Sequence, residues 1–566
     1  MPSNPNFIMR FWRELKRRKV IHVLVVYATS AFVIIELVSN VYEALHLPDW
    51  TPTLVIVILA TGLPFALVFS WIFNVSFSGI SRTEPTGGNL SEEQEKIEPD
   101  DKPIIIENSI VILPFEDMSP GKDNEYFCDG ITEEIINALT KIKNLHVVAR
   151  TSSFAFKGQG TDVREIGKKL SVESLLEVSV RKADNKLRIT AQLINIENGF
   201  HLWSESFDRE ASDIFTIQDE IASQIVRKLK VNIQSNEAEM VSKRTTGNLE
   251  AYNLYLKGRY FWNKLTEEGL NKGMDFFRQA IKTDPKYAPA YSGISDAYCR
   301  LAWYSYSSPR EAFSEAKKAA EKALELDKNL PEAHASLGFV SMCFDRDYDR
   351  AFEQIKNAID LDPGSAGTRT YYSICLAITG RHEESIEEAK QALYLDPLTP
   401  MMQINLGGRY YYARKYDKCI DSVKKTLDMD PGFEMAHYYL AYFYNQKKEH
   451  GKALEEIRRV ISVFGRNNTQ FLAAYAIILA YMNDTEGAQE IVTEILELSK
   501  EKYTSFFWLG TIYLVLGMKE EAFKMFEKAY NAREVLMIFL NVDPVFDSLK
   551  PDPSFQSLLK KMNFIK

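Results

Sequence analysis

Three acids stand close together at Asp129, Glu133 and Glu134. Paired carboxylates can divide general-acid and general-base work, but only when both face the same bond. Glu133 and Glu134 are neighbours on a helical pattern and cannot share a face. They read instead as a solvated first turn, where the helix dipole favours negative charge. Gly158 and Gly160 in FKGQGTDVREIG suggest a phosphate loop, but position 163 is Val where G-x-G-x-x-G needs its third glycine. No G-x-x-x-x-G-K-[ST] occurs. Arg150-Thr151-Ser152-Ser153 reads as a polar strand exit able to cap or hold a small anion. No G-x-S-x-G offers a nucleophile. The histidines form no H-x-x-x-H or Cys/His spacing, so no metal site is expected. These residues point to no catalytic group, no metal and no cofactor, hence to a binding protein rather than an enzyme.

At 566 residues the chain should hold more than one domain. Its apolar content of 46% and charged content of 26% are those of folded protein. A net charge of −9 argues against a general nucleic-acid binder. The five cysteines, Cys128, Cys299, Cys343, Cys375 and Cys419, are odd in number and lack a C-x-x-C pair. They suit a reducing compartment and read as small core residues.

Asp362-Pro363, Asp396-Pro397 and Asp430-Pro431 recur every 34 residues. Each closes an apolar helix, a polar turn and a second helix, because proline cannot continue a helix. A fixed period of this size marks stacked units that bury their apolar faces only against neighbours. At Phe506–Ala529, the residues Leu509-Gly510, Tyr513, Gly517, Ala522, Phe526 and Ala529 hold a spacing that recurs upstream at Leu440-Ala441, Tyr444, Ala453 and Ile457. This pattern resembles the tetratricopeptide repeat. The resemblance implies an all-α superhelix of about eight helix pairs over 249–534, with a cap over 535–566 covering the last apolar face. It also implies a concave wall that binds protein. In register, the partner-facing positions are Tyr411, Tyr412, Tyr438, Tyr442, Asn445, Gln446, Phe507 and Thr511, although the same tyrosines could pack between helices. Ile404, Gly408 and Tyr438 stand where a chaperone-tail clamp would need basic groups, so that receptor class is not expected.

Residues 103–233 alternate short strands with helices. Leu187, Ile189, Ala191 and Leu193 against Arg188, Thr190 and Gln192 mark a half-solvated antiparallel strand. An α+β domain with helices packed on a sheet is expected. The segments ILPFEDMS, YFCDGITEEI, VVARTSSFAFKG, DVREIGKKL and RITAQLINIENGFHLWSESFDRE resemble the TolB amino-terminal-like domain found beside tetratricopeptide arrays in bacteria.

Ahead of this domain, residues 1–19 are basic. The apolar stretches Val20–Val41 and Leu54–Phe73 are each about the 20 residues that a membrane crossing needs. The link between them carries no Lys or Arg, which predicts a cytoplasmic N-terminus and cytoplasmic soluble domains. Residues 75–102 read as an acidic flexible linker. The expected fold class is therefore two transmembrane helices (20–74), an α+β domain and an all-α tetratricopeptide superhelix. The expected function is an adaptor at the bacterial inner membrane, with protein partners in the groove, lipid at the anchor and no nucleic acid. The alternatives are a ligand-sensing regulator that uses the α+β domain, with a pocket around Arg150, Ser153 and Asp129, or a nucleotide cyclase.

Overall fold

The computed structural model describes residues 27, 31, 34–38, 48, 50–76, 79–82, 106–122, 124–183, 186–210, 213–231, 246–500 and 504–565. The chain forms two compact units, Met1–Asp101 and Lys102–Lys566. In the first, helix α1 (Thr51–Ile72) leads into an antiparallel hairpin of β1 (Phe73–Ser76) and β2 (Gly79–Arg82). The Tyr27 hydroxyl donates to the Leu59 carbonyl over 2.8 Å.

Among the described residues no helix is long and apolar enough to cross a membrane. This corrects the expectation of two transmembrane helices. The stretch Val20–Val41 lies mostly outside the described residues. The stretch Leu54–Phe73 falls largely on α1. Strand β2 falls inside the stretch expected as a flexible linker, while residues 1–19 and 83–105 lie outside the described residues.

The second unit opens with β3 (Ile106–Ile112), β4 (Glu116–Asp117), α2 (Glu125–Leu139), β5 (His146–Val147), α3 (Arg150–Phe154) and α4 (Val163–Leu170). Three long strands follow, β6 (Val172–Ala183), β7 (Lys186–Asn195) and β8 (His201–Glu210), then α5 (Ile214–Lys228). The sheet order is β5-β3-β6-β7-β8, with β4 added beside β6. Pairings among β3, β4, β5 and β6 are parallel, and those of β7 are antiparallel. Leu187, Ile189, Ala191 and Leu193 of β7 are buried and alternate with more exposed positions, as a one-sided strand requires. Helices α2 and α5 cover one face through Ile131, Ile135, Ile217 and Ile221. Helix α4 covers the other through Ile166 and Leu170.

Sixteen helices follow as eight antiparallel pairs, α6 to α21. They are α6 (Leu249–Trp262) with α7 (Glu267–Thr283), α8 (Ala288–Trp303) with α9 (Pro309–Leu326), α10 (Pro331–Val340) with α11 (Tyr348–Leu361), and α12 (Ala366–Ile378) with α13 (His382–Leu395). Then come α14 (Pro400–Tyr412) with α15 (Tyr416–Met429), α16 (Met435–Gln446) with α17 (His450–Phe464), α18 (Thr469–Tyr481) with α19 (Thr485–Leu498), and α20 (Phe506–Val515) with α21 (Lys519–Asn531). One residue in each inter-helix turn has positive φ: Leu265, Ser305, Arg346, Gly380, Arg414, Lys448, Asn483 and Gly517. A left-handed residue lets the turn close on the carbonyls left free at the first helix's end. Close packing explains Gly510, where an added Cβ would lie 2.6 Å from the Phe526 ring.

The α+β domain and the array share one core. Tyr252, Leu256, Phe277 and Tyr287 of the first repeats pack in the same cluster as Ile131 and Ile221. The chain ends in two 3-10 turns, Val535–Phe539 and Pro544–Leu549, and α22 (Pro553–Lys561).

Candidate functional site

The eight positions expected to face a partner divide into three settings. Tyr411 and Tyr442 donate to the two oxygens of Asp543, over 2.9 and 2.6 Å. The Tyr412 ring stacks on Phe539, with centroids 5.1 Å apart. These three therefore meet the chain's own C-terminal segment. Phe507 packs against Phe546 of the same segment and against Phe526. The remaining four serve the helix stack. Gln470 donates to the Tyr438 hydroxyl over 3.0 Å. Asn445 bonds His450 over 2.8 Å, and Thr511 donates back to the Phe507 carbonyl. Gln446 bonds Tyr481.

The C-terminal segment is bound along its length. Arg414 forms a two-pronged ion pair with Asp547, with its closest contact at 2.8 Å, and also donates to the Val542 carbonyl. Asn541 donates to the Ile378 carbonyl and Asn563 to that of Arg346. Phe564 stacks on Tyr348 at 4.9 Å. The cap thus does more than cover the last repeat. It crosses back over the turn and second helix of the third pair and the first helices of the fourth to sixth.

The Asp-Pro motifs carry a second function. Each Asp ends the second helix of its pair, and three of them meet the α+β domain or the chain leading from it. Asp284 accepts from the Thr246 hydroxyl over 2.7 Å. Asp362 lies beside Thr140, whose carbonyl accepts from the Gly364 amide over 3.1 Å. Asp396 accepts from the hydroxyls of Thr151 and Ser152 at the start of α3, the latter over 2.5 Å. Ser152 then accepts from the Leu398 amide. Arg150–Ser153 is therefore the start of a short helix docked on the array, not a strand exit. Of the residues expected to line a sensory pocket there, Ser153 donates to the Ile112 carbonyl.

Glu133 overturns the reading of a solvated first turn. Helix α2 begins eight residues earlier, at Glu125, so Glu133 lies well inside it and is 4% exposed. Arg259 reaches its carboxylate over 2.8 Å, Asn263 over 2.9 Å and Arg150 over 3.0 Å. Burial alone would push this carboxyl up, but Arg259 and Arg150 together hold it below the usual range. One turn back, Asp129 bonds Lys157 over 2.7 Å, and Lys157 also reaches Glu125. Burial outweighs Lys157 and leaves the Asp129 carboxyl raised. Sequence spacing could not show these contacts, because Arg259 and Asn263 lie 126 and 130 residues away.

Further residues line the inner side of the array. Arg409 is 6% exposed, and its Nε and Nη1 have no hydrogen-bond partner. Its guanidinium lies 5.6 Å from the centroid of the Tyr412 ring, and among the described residues no carboxylate forms an ion pair with it. Tyr439 interacts with Tyr304 of the second pair, across 135 residues of chain. Tyr304 is 42% exposed and acts with Asp296 on Arg300 and Tyr371. The Arg300 guanidinium lies 5.6 Å from the Tyr371 centroid, joining the second and fourth pairs. The aromatic positions of the first helices do not single out Arg409. The available signal was a cation two residues beyond Gly407 on a first helix.

Comparison with known proteins follows this geometry. Residues 404–468 and 503–535 each match a family model described as tetratricopeptide repeat. The protein described as "Putative adenylate cyclase 3" of Rhizobium meliloti (strain 1021) is 36% identical over 231 residues, 40% of this chain and 39% of that protein. The Hsp70-Hsp90 organizing protein 1 of Glycine max is 31% identical over 118 residues, 19% of each chain. The chain thus spans well under half the length of these relatives. The crystal structure of YrrB, described as a TPR protein with an unusual peptide-binding site, is 22% identical. It covers 33% of this chain and 90% of its own, with a TM-score of 0.24. The second half of this chain carries tetratricopeptide repeats.

Proposed function

We propose that this protein is an interaction scaffold whose superhelix takes an acidic segment of a partner protein on its inner side. The observation that carries this reading is Arg409. An uncompensated guanidinium so deeply buried costs several kcal/mol in desolvation unless an anion pairs with it. Among the described residues none does. Beside it, Tyr412 and Tyr439 supply ring surface and hydroxyls, the surface chemistry favoured where proteins bind peptides. The wall filled by the Val535–Leu549 segment is left out of the partner surface, because Leu540 and Phe546 are fully buried there and would have to be exposed.

Selection of peptides from a random library on the full-length chain tests this. The expected winners are rich in Asp and Glu, weaken with added salt, and lose at least tenfold affinity to Arg409→Met. Winners without acidic enrichment, or with unchanged affinity for the variant, would reject the reading.

A further inference from the structure

At the junction of the α+β domain and the first repeat pair lies a cleft of about 310 Å³. It belongs to neither domain alone. Lys122, Glu125 and Tyr126 line one side, and Lys257, Tyr260, Phe261 and Phe276 line the other. Such junctions and volumes are typical of small-molecule sites.

Two features give this cleft its character. The first is flat aromatic surface. Phe261 and Phe276 stack with centroids 5.5 Å apart and planes within 9°. The second is cationic charge held over ring faces. Lys122 and Lys257 are the lysines of the lining, and the Lys257 ammonium lies 4.9 Å from the Tyr126 centroid; outside the lining, that of Lys272 lies 4.2 Å from Phe261. Lys264 stands 5.2 Å from Tyr260 and 5.0 Å from Phe261. Among the described residues, Lys257, Lys264 and Lys272 form no ion pair with a carboxylate within 4.0 Å. The acid in the lining, Glu125, is already bonded by Lys157 over 2.7 Å and by the Tyr260 hydroxyl over 3.3 Å. In a chain of net charge −9, this is a local cationic and aromatic surface.

We propose that the cleft binds a mononucleotide, its base against the aromatic rings and its phosphate at the lysines. Rings bind a planar base through stacking. Ammonium groups bind phosphate as point charges with rotatable donors. The volume and the acidic balance of the whole chain favour a small nucleotide over a polymer. A ligand here touches both α2, through Glu125 and Tyr126, and α6, through Lys257, Tyr260 and Phe261. Its binding therefore tightens the joint between them.

Calorimetric titration of the full-length chain with AMP, GMP and CMP tests the proposal. Adenosine, inorganic phosphate and a ten-residue single-stranded oligonucleotide are titrated in parallel. At least one mononucleotide binds, and adenosine and phosphate bind at least tenfold more weakly. The double variant Lys122→Gln/Lys257→Gln keeps the melting temperature of the unliganded chain and loses at least tenfold affinity. Tyr126→Leu weakens mononucleotide binding while sparing phosphate, which separates the stacking role from the charge role. No mononucleotide binding at millimolar concentration, binding unchanged in the lysine double variant, or tighter binding of the oligonucleotide would each overturn the proposal.

Discussion

The Tyr411 hydroxyl donates to Asp543 over 2.9 Å, across 132 residues of chain. Tyr442 donates to the other oxygen of the same carboxylate. Burial pushes the Asp543 carboxyl up, and the two hydroxyls pull it back. Asp543→Ala should therefore cost about 2–4 kcal/mol, because it leaves two hydroxyls without their acceptor. Tyr411→Phe should cost about 1.5–3 kcal/mol, the range for a hydrogen bond to a charged group. Urea denaturation of both single variants and the double variant measures the coupling. Strict additivity would show that this bond does not hold the segment.

Asp396 and Asp430 occupy the same place in successive repeats but do different work. Asp396 accepts from Thr151 and Ser152, whereas Asp430 accepts from the Gly432 amide in its own turn, over 3.0 Å. Asp396→Ala should cost about 2 kcal/mol more than Asp430→Ala, since it strands polar groups between domains. Hydrogen exchange should rise in β5 and α3 for the first variant alone. Equal effects of the two would place the docking elsewhere.

Removing one member of the Glu133 network leaves buried charge without a partner. Glu133→Gln should destabilise by about 3–5 kcal/mol. The joint change Glu133→Leu/Arg150→Met/Arg259→Met should cost less than the single one, because it removes all three charges together. Chemical denaturation of the two variants decides. A triple variant weaker than Glu133→Gln would contradict the account.

Burial, reinforced by Glu332, raises the Asp362 carboxyl from 3.8 to about 7. A folded-state value above the unfolded one means that the folded chain holds the extra proton between those pH values. Stability from this group is thus present at low pH, falls as pH rises from about 4 to about 7, and levels off above. Asp362→Asn should flatten that stretch of the stability–pH curve and stabilise the chain at pH 8 by up to a few kcal/mol. Denaturation midpoints at half-unit pH steps measure it. An unchanged slope would assign the dependence to other groups.

Arg409→Met removes a buried charge with no partner among the described residues, so it should stabilise the unliganded chain by about 1–3 kcal/mol. A lower melting temperature in the variant would show that the guanidinium is already compensated. That result would also withdraw the support it lends to an acidic partner.

Much of the fold was legible in the residues. The 34-residue recurrence of Asp-Pro, the small residues at Gly407 and Gly510, and the alternation along Leu187–Leu193 dictate helix pairs and a one-sided strand. These are local rules, in which each residue is read against neighbours a turn or a pleat away. What each element packs against is not local. The tyrosines at Tyr411 and Tyr442 look the same in sequence whether they face a partner or Asp543. Glu133 looks solvated until Arg150 and Arg259 close over it. The apolar stretches near the N-terminus read as membrane spans on composition alone, yet among the described residues no helix has the length and apolarity to cross. The sequence by itself determined the repeat and the order of the α+β domain and the helical array. Only the tertiary structure decided that the domains share a core, that the C-terminal segment fills part of the concave wall, and that Arg409 and Lys257 have no carboxylate at ion-pair distance among the described residues. The reason is physical: periodicity records which face of an element is apolar, whereas the partner of a buried polar group depends on which distant segment reaches it.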